Sequence, residues 1–455
     1  MRNLNVFINA LLVFIVLSFL TACVHTHDLR PKLDSYVNAF VEQDKFSGSV
    51  FVAQNGKTLL SKGYGMANYE HDIPNTPDTK FRLASITKQF TALAIMQLQE
   101  MGLLSLDDTV SKYIHKYPKG DKITIHNLLT HTSGIPNVQS LEDYKRKKIK
   151  PHTLEQLIDR FKDKPLDFHP GDRYQYSNSG YMLLGYIIEK ISGKNYETFL
   201  KENIFAPLSM KDSGYDKAGT VLKNRASGYR LVENKLINSD YIDMSFPAAS
   251  GALYSTANDL HKWDQALYSE KLISKESLAK MFNSHMSSSF PGYGYGWIIR
   301  RSKERYIVEH AGGIDGFSTD ILRYPEEKLC VIVLSNFAFG QAWKISNGLA
   351  AIVLGERYEW PEKKVAITVD PTIYDQYVGR YKLDEGFIIT ISQEDNRLFA
   401  QAGEQVKIEL SPSSLTDFFH RDFILEISFI KDADGKIKSL VLHDMGDHKA
   451  QRIED

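Results

Sequence analysis

The spacing of apolar side chains changes period along this chain, and the changes divide it into segments. Leu33, Tyr36, Val37, Phe40 and Val41 recur at helical spacing. Two short apolar runs, Gly48-Ser-Val-Phe-Val-Ala53 and Thr58-Leu-Leu60, then flank Asn55-Gly56, a dipeptide that suits the tight turn of a β-hairpin because both residues tolerate positive φ. Residues 80 to 290 read as helices and loops. The clearest helices are predicted over Ser85–Met101 and Ser179–Ser192, each stopped by a glycine just past the last periodic residue, Gly102 and Gly193. Strand patterns return at Tyr306–His310, Phe317–Tyr324 and Leu329–Leu334, followed by a helical pattern over Ala342–Leu354. Two early strands, a large helical insert, three late strands and a closing helix predict an α+β unit. In it, early and late strands complete one antiparallel sheet flanked by helices.

Pro361 to Pro371 breaks this pattern and reads as a linker. Beyond it, short alternating runs recur at Gly379–Leu383, Phe387–Ser392, Leu398–Ala400, Val406–Leu410, Phe423–Phe429 and Ser439–His443, separated by turn residues. They predict a small all-β barrel or sandwich. The other end of the chain differs in kind. Arg2 precedes an apolar run from Val6 to Leu20 that ends in Leu20-Thr-Ala-Cys23, the order of an export signal. Its ending resembles the lipobox of bacterial lipoproteins, which implies a lipid anchor on Cys23 and a membrane-tethered protein in the cell envelope or periplasm. An ordinary signal peptide and an uncleaved anchor are the alternatives, and all three place the rest of the chain outside the cytoplasm. The expected divisions are 1–23 (signal peptide), 24–30 (tether), 31–358 (α+β unit), 359–370 (linker) and 371–455 (barrel).

Composition narrows the function classes. A chain of 455 residues exceeds a typical single core, which fits two folded units. A formal net charge of −1 gives no electrostatic footprint for nucleic acid. The densest basic run, Tyr144-Lys-Arg-Lys-Lys-Ile-Lys150, reads as a solvated surface loop. One of the two cysteines is Cys23; the other, Cys330, sits in a buried-strand pattern, so no disulfide framework is expected. His126 and His131 lack a carboxylate or cysteine ligand pattern beside them and read as packing or turn residues, so no metal is expected. Tyr293, Tyr295 and Trp297 fit either a substrate cleft or a core.

Candidate chemistry starts from Ser-x-x-Lys, which occurs three times: Ser85/Lys88, Ser277/Lys280 and Ser428/Lys431. The last falls on a predicted strand, where positions i and i+3 point to opposite faces. The second falls in a charge-rich helix that reads as a solvated face. Ser85/Lys88 opens the most apolar helix, where the spacing puts both side chains on one face. Burial penalises an ammonium, so a lysine there can be neutral and accept a serine proton. From an ordinary pKa near 10.4 this requires roughly 4 kcal/mol of differential environment. An N-cap serine with a snorkelling lysine is the alternative on this pair alone. Two further elements change the balance. Tyr176-Ser-Asn178 lies on a loop before a helix, offering a phenol for proton relay and an amide for substrate. Val308-Glu-His-Ala-Gly-Gly313 ends a strand in glycines that let substrate approach the backbone. There is no Gly-x-Ser-x-Gly, which argues against an α/β-hydrolase nucleophile elbow.

In this order, Ser-x-x-Lys, Tyr-x-Asn and a strand-borne basic-x-Gly resemble the serine β-lactamase and penicillin-binding-protein superfamily. The branch is that of class C β-lactamases, D-aminopeptidases, DD-carboxypeptidases and related esterases. His126-Asn-Leu-Leu-Thr-His-Thr-Ser-Gly-Ile-Pro136, Pro247-Ala-Ala-Ser-Gly-Ala-Leu-Tyr-Ser255 and Gly294-Tyr-Gly-Trp297 extend the resemblance across residues 30–355. The tail from Tyr377-Val-Gly-Arg-Tyr381 is similar to the lipocalin-like barrels that some relatives carry. The resemblance implies Ser85 as acylated nucleophile, Lys88 as its base, Tyr176 as proton relay and Asn178, His310 and Gly312 as substrate contacts. It places the oxyanion between the N–H groups of Ser85 and Gly313. It implies a hydrolase acting on a small molecule or peptide (an amide, ester, D-amino acid derivative or β-lactam) without a cofactor. A penicillin-recognising or catalytically silent binding protein is the alternative. The family's usual Lys-Thr-Gly or Lys-Ser-Gly is replaced by His310-Ala-Gly312, and a mostly neutral histidine suits a substrate carboxylate less well than lysine does. That shifts the expected substrate from carboxylate-bearing β-lactams toward peptides or esters.

Overall fold

The computed structural model describes residues 28–453 except 233–234, 286–291, 303, 363, 384–387, 404–406, 421–424 and 444–446. The proposed signal segment and Cys23 therefore lie outside the described residues. Among those described, no helix is long and apolar enough to cross a membrane.

The Asn55-Gly56 dipeptide closes a hairpin between β1 (Gly48–Gln54) and β2 (Lys57–Tyr64), both turn residues having positive φ. Five late strands follow the helical insert: β3 (Gly292–Tyr293), β4 (Ile298–Ser302), β5 (Arg305–Ile314), β6 (Phe317–Tyr324) and β7 (Leu329–Ser335). The sheet runs β3-β4-β5-β6-β7-β1-β2 and is antiparallel throughout, so early and late strands meet where β7 pairs with β1, from Gly48 opposite Ser335 to Gln54 opposite Leu329. β3 and β4 are additional to the three late strands predicted. β3 is two residues long and β4 carries Arg300 and Arg301, so neither shows an apolar alternation.

Period-two alternation in β7 explains the layering. Leu329, Val331 and Val333 face one side and pack with Leu33, Val37 and Phe40 of α1 (Arg30–Val41). Cys330, Ile332 and Leu334 face the other and join the core of the helical insert. That insert is built around α2 (Thr87–Glu100) and α3 (Asn178–Ser192), and α4 (Ala342–Leu354) lies with α1 behind the sheet. Gly193 adopts φ 68 as the left-handed cap of α3. Ser85 lies in a short 3-10 turn, Ala84–Ile86, ahead of α2 and not in its first turn.

The segment after α4 makes contacts of its own. Tyr358 and Trp360 set their rings against Tyr36, and Gln43 Nε2 donates to the Pro361 carbonyl at 2.9 Å. Farther along, Lys364 pairs with Glu426, and the Ile367 N–H donates to the Pro412 carbonyl. Then eight strands close into a barrel: β8 (Gly379–Lys382), β9 (Ile388–Glu394), β10 (Arg397–Ala402), β11 (Ile408–Pro412), β12 (Asp417–Phe419), β13 (Glu426–Lys431), β14 (Ile437–His443) and β15 (Asp447–Ile453). β15 returns to pair with β8, Tyr381 opposite Arg452. Tyr377, Tyr381, Phe418 and Phe429 fill its interior. The runs starting at Phe387, Val406 and Phe423 begin on residues outside the described set. β12 and β15 escaped the sequence pattern because each offers a single buried side chain, Phe418 and Ala450.

A fully buried ion pair ties the sheet to the insert. Arg323 on β6 donates from Nε to Asp264 Oδ1 at 2.6 Å, both side chains 1% exposed, with Tyr268, Phe282 and Trp297 rings around the guanidinium. Removing one partner strands a buried charge. Arg323→Met is therefore expected to destabilise the protein by about 3–5 kcal/mol, and Arg323→Met with Asp264→Leu to recover most of that loss in urea denaturation.

Candidate active site

Ser85 is fixed from three directions. Phe81 and Arg82 pair with Ser255 and Tyr254 of the short strand Leu253–Ser255, so the chain enters the nucleophile turn along a defined line. The Leu83 N–H donates to the Leu253 carbonyl at 2.8 Å, and Thr319 Oγ1 donates to the Leu83 carbonyl at 2.9 Å. Ala84 then takes φ 49, a left-handed conformation that costs a non-glycine residue on the order of 1 kcal/mol or more and commonly marks a functional turn. β5 passes directly beneath: a Cβ on Gly312 would stand 2.3 Å from the Leu83 carbonyl oxygen, so only glycine allows this approach.

Lys88 sits one turn on, wholly buried. Its Nζ lies 3.1 Å from Ser85 Oγ, 2.8 Å from Asn178 Oδ1 and 2.8 Å from the Ser250 carbonyl oxygen. Burial holds its pKa well below the usual lysine range. A neutral amine matches this geometry. Its two N–H bonds go to Asn178 and Ser250, which only accept there, and its lone pair faces the Ser85 hydroxyl. The acceptor segment is strained too, with Ala248 at φ 43. Gly296 makes room behind the lysine, since a Cβ there would meet the Lys88 carbonyl oxygen at 2.6 Å.

Tyr176 donates its hydroxyl to Ser85 Oγ at 2.9 Å, and its ring centroid is 4.8 Å from Lys88 Nζ. Burial raises its pKa above the ordinary phenol value, so it is a neutral donor and not a phenolate. His131 packs against the Tyr176 ring at 4.3 Å and accepts the Ser177 N–H on Nδ1 at 3.1 Å, which assigns its proton to Nε2. It is a packing residue for the tyrosine. His126 likewise packs, bonded through Nδ1 to the Tyr295 hydroxyl at 2.9 Å. No cluster of metal-ligating side chains occurs among the described residues.

The third element is arranged differently from its expected use. His310 is 3% exposed, its Nδ1 bonds to the Ala311 carbonyl at 2.7 Å, and its Nε2 meets the Tyr293 hydroxyl at 3.0 Å. Burial pulls its pKa down to about 3. Both ring nitrogens are engaged within the protein and the ring is neutral. Tyr293 belongs to the buried interior, with Tyr295 and Trp297.

A cavity of about 250 Å³ opens beside Ser85. Asn178 and Gly313 border it, together with Val138, Ile242 and Phe246; His310 and Gly312 lie outside its lining. Asn178 Oδ1 is committed to Lys88, and its Nδ2 lies 3.4 Å from Asn137 Oδ1. One expectation is overturned: the basic run is not wholly solvated. Tyr144–Lys147 forms a short helix, while Lys148 is buried, pairs with Asp315 and borders this cavity. Lys148 and Asp315 carried no motif, and although Ser250 lies in the Pro247–Ser255 stretch and Tyr293 among the aromatics singled out, their bonds to Lys88 and His310 were not read from the sequence. Asp315, two residues past Gly313, was the one within reach of sequence reasoning.

The other two Ser-x-x-Lys copies form no such pair. Ser277 is buried beside the capping Ser274, and Lys280 bonds to Glu276. Ser428 Oγ bonds to Asp417 Oδ1 and His443 Nε2 on the barrel.

A family model described as Beta-lactamase matches residues 33–354. The chain belongs to that family. A second model, a domain of unknown function (DUF3471), matches residues 363–455. The chain is 32% identical over 439 residues to penicillin-binding protein 4* of Bacillus subtilis, covering 92% of this chain and 97% of that protein. Among solved structures it resembles an octameric penicillin-binding protein homologue from Pyrococcus abyssi, with TM-score 0.66, 30% identity, and coverage of 92% of this chain and 99% of that one. It also resembles a D-amino acid amidase from Ochrobactrum anthropi, with TM-score 0.63, 25% identity, and coverage of 72% and 96%. The family and these neighbours support a centre of the serine-hydrolase type.

Lys88 gives a thermodynamic signature. Its folded pKa lies below the unfolded value, so below the unfolded pKa the unfolded chain binds more protons at this residue and the buried amine costs stability. That cost shrinks as pH rises toward the unfolded value of about 10.4. Lys88→Met is expected to raise the denaturation midpoint at neutral pH, by an amount that declines toward pH ~10. A gain independent of pH would show that the amine is charged in the folded state.

Proposed function

We propose that the protein hydrolyses an amide or ester bond through an acyl-enzyme on Ser85. The observation that carries this reading is the Ser85 oxygen held between Lys88 Nζ at 3.1 Å and the Tyr176 hydroxyl at 2.9 Å, with no water-filled gap needed to link them. As Ser85 Oγ attacks the substrate carbonyl, its proton passes to the Lys88 lone pair. The carbonyl oxygen becomes an oxyanion between the N–H groups of Ser85 and Gly313. Tyr176 gives its proton to the departing amine or alcohol and regains one from the Lys88 ammonium, the two groups flanking Ser85 Oγ. Water then repeats the sequence on the acyl-enzyme, Lys88 again taking the proton and Ser85 leaving. His131 and Tyr293 keep the tyrosine and His310 in place. Asn178 holds Lys88 as well as bordering the substrate cavity.

The substrate proposed is a small amide, peptide, D-amino acid derivative or ester. The neutral, fully bonded His310 supplies no fixed cation for a β-lactam carboxylate, which favours the other substrates. The amidase neighbour is consistent with an amide. We also propose that Cys23 carries the lipid that holds the protein in the cell envelope.

A fluorophosphonate probe is expected to label the protein at Ser85. Ser85→Ala should abolish labelling, while Ser277→Ala and Ser428→Ala retain it; labelling that survives Ser85→Ala overturns the assignment. A fluorescent penicillin distinguishes the second reading, suggested by the relatives' penicillin-binding names: an adduct that forms but is never released marks a receptor, and turnover marks a hydrolase.

A further inference from the structure

We propose that the Lys148–Asp315 pair in the cavity beside Ser85 is a recognition site for an α-amino-acid head group, an ammonium and a carboxylate carried on one carbon of the substrate. The inference rests on the hydrolase reading to the extent that the cavity is the one Ser85 opens into.

Both partners are placed by the fold and not by chance contact at the surface. Asp315 and Gly316, the latter at φ 83, form the two-residue turn between β5 and β6, whose pairing ends with Ile314 opposite Phe317. The turn carries Asp315 two residues beyond Gly313. Lys148 follows the short helix Tyr144–Lys147, and its carbonyl is held by the Asp243 N–H at 2.9 Å. Their side chains are 10% and 17% exposed, and each borders the cavity.

Three features of the pair point to a ligand. First, these are the charged side chains among the described residues lining a cavity otherwise built of neutral ones such as Val138, Tyr144, Met182, Ile242 and Phe246. Two apolar side chains would join loop to turn without desolvating two charges. Second, the Lys148 ammonium also lies 5.9 Å from the centroid of the Tyr144 ring, yet the pair leaves hydrogen-bonding capacity unused. An ammonium has three donors and a carboxylate about four acceptor positions, and the hydrogen bond between them takes one of each.

Third, the sum of the charges selects the ligand. Lys148 and Asp315 cancel. A ligand bearing a lone ammonium or a lone carboxylate meets attraction from one partner and repulsion from the other, and loses its hydration without net compensation. A head group with both charges sets its carboxylate on Lys148 and its ammonium on Asp315, so that four charges alternate in sign. The cavity's apolar wall then suits the carbon chain leading back toward Ser85.

The test uses the full chain with Ser85→Ala and four amides of similar length: the side-chain amide of aminoadipic acid, aminohexanamide, adipic acid monoamide and hexanamide. Calorimetry is expected to rank the aminoadipic compound roughly tenfold or more tighter than the other three. Lys148→Met on this background should move the preference to aminohexanamide, and Asp315→Asn to adipic acid monoamide, opposite shifts that a structural clamp would not produce. The proposal is overturned if the aminoadipic compound binds no tighter than hexanamide, or if the two substitutions weaken all four amides alike. If a substituted chain does not fold, the ranking on the parent decides. Failure of the hydrolase reading is separate: it appears as an unlabelled Ser85 with the fluorophosphonate, whatever the ranking of amides.

Discussion

A primary amine buried without a carboxylate partner is the constraint around which this molecule is organised. Lys88 finds two acceptors, Asn178 Oδ1 and the Ser250 carbonyl, and its third hydrogen-bond neighbour is the Ser85 hydroxyl. A carboxylate in their place would keep the ammonium charged and leave no lone pair for a proton. The acceptors come from separate parts of the chain: the start of α3 and the turn Ala248–Ser250. Holding them at hydrogen-bond distance fixes the relative placement of α2, α3 and that turn. The left-handed backbone at Ala84 and Ala248 and the close passage of Gly312 and Gly296 are what this convergence requires.

The same absence of charge runs through the neighbouring groups. Tyr176 is held as a phenol, His131 and His310 as neutral imidazoles, each by burial. In such surroundings a single proton moved from Ser85 to Lys88 changes the local field strongly, because little else nearby is charged to oppose it. Charge appears in this cleft on Lys148 and Asp315.

Much of the architecture was legible because its signals are local and redundant. The Asn55-Gly56 hairpin, the glycine stops of the two helices and the bounds of Phe317–Tyr324 and Ala342–Leu354 follow from turn chemistry and apolar period. Ser85, Lys88, Tyr176 and Asn178 were legible as a set, since chain order and element type separate this Ser-x-x-Lys from its two copies. Features without a side-chain signature were not. A backbone carbonyl such as that of Ser250 looks like any other in a sequence. Tyr293 gives no hint that its hydroxyl occupies His310. Lys148 sits among four other basic residues of the same run and differs from them only through Asp315, far along the chain. A strand next to the sheet edge, Ile298–Ser302, and a barrel strand, Asp447–Ile453, are too polar to show a period of two.

The back of the central sheet has a consequence for how the molecule meets its surroundings. α1 and α4 both lie there, and Tyr358 and Trp360, leading away from α4 toward the barrel, rest on Tyr36 of α1. Both routes out of the α+β unit therefore depart from one side, and the cleft belongs to the helical side opposite. Anything attached ahead of Arg30, a surface or a second molecule, would hold the protein by its back and present the opening outward.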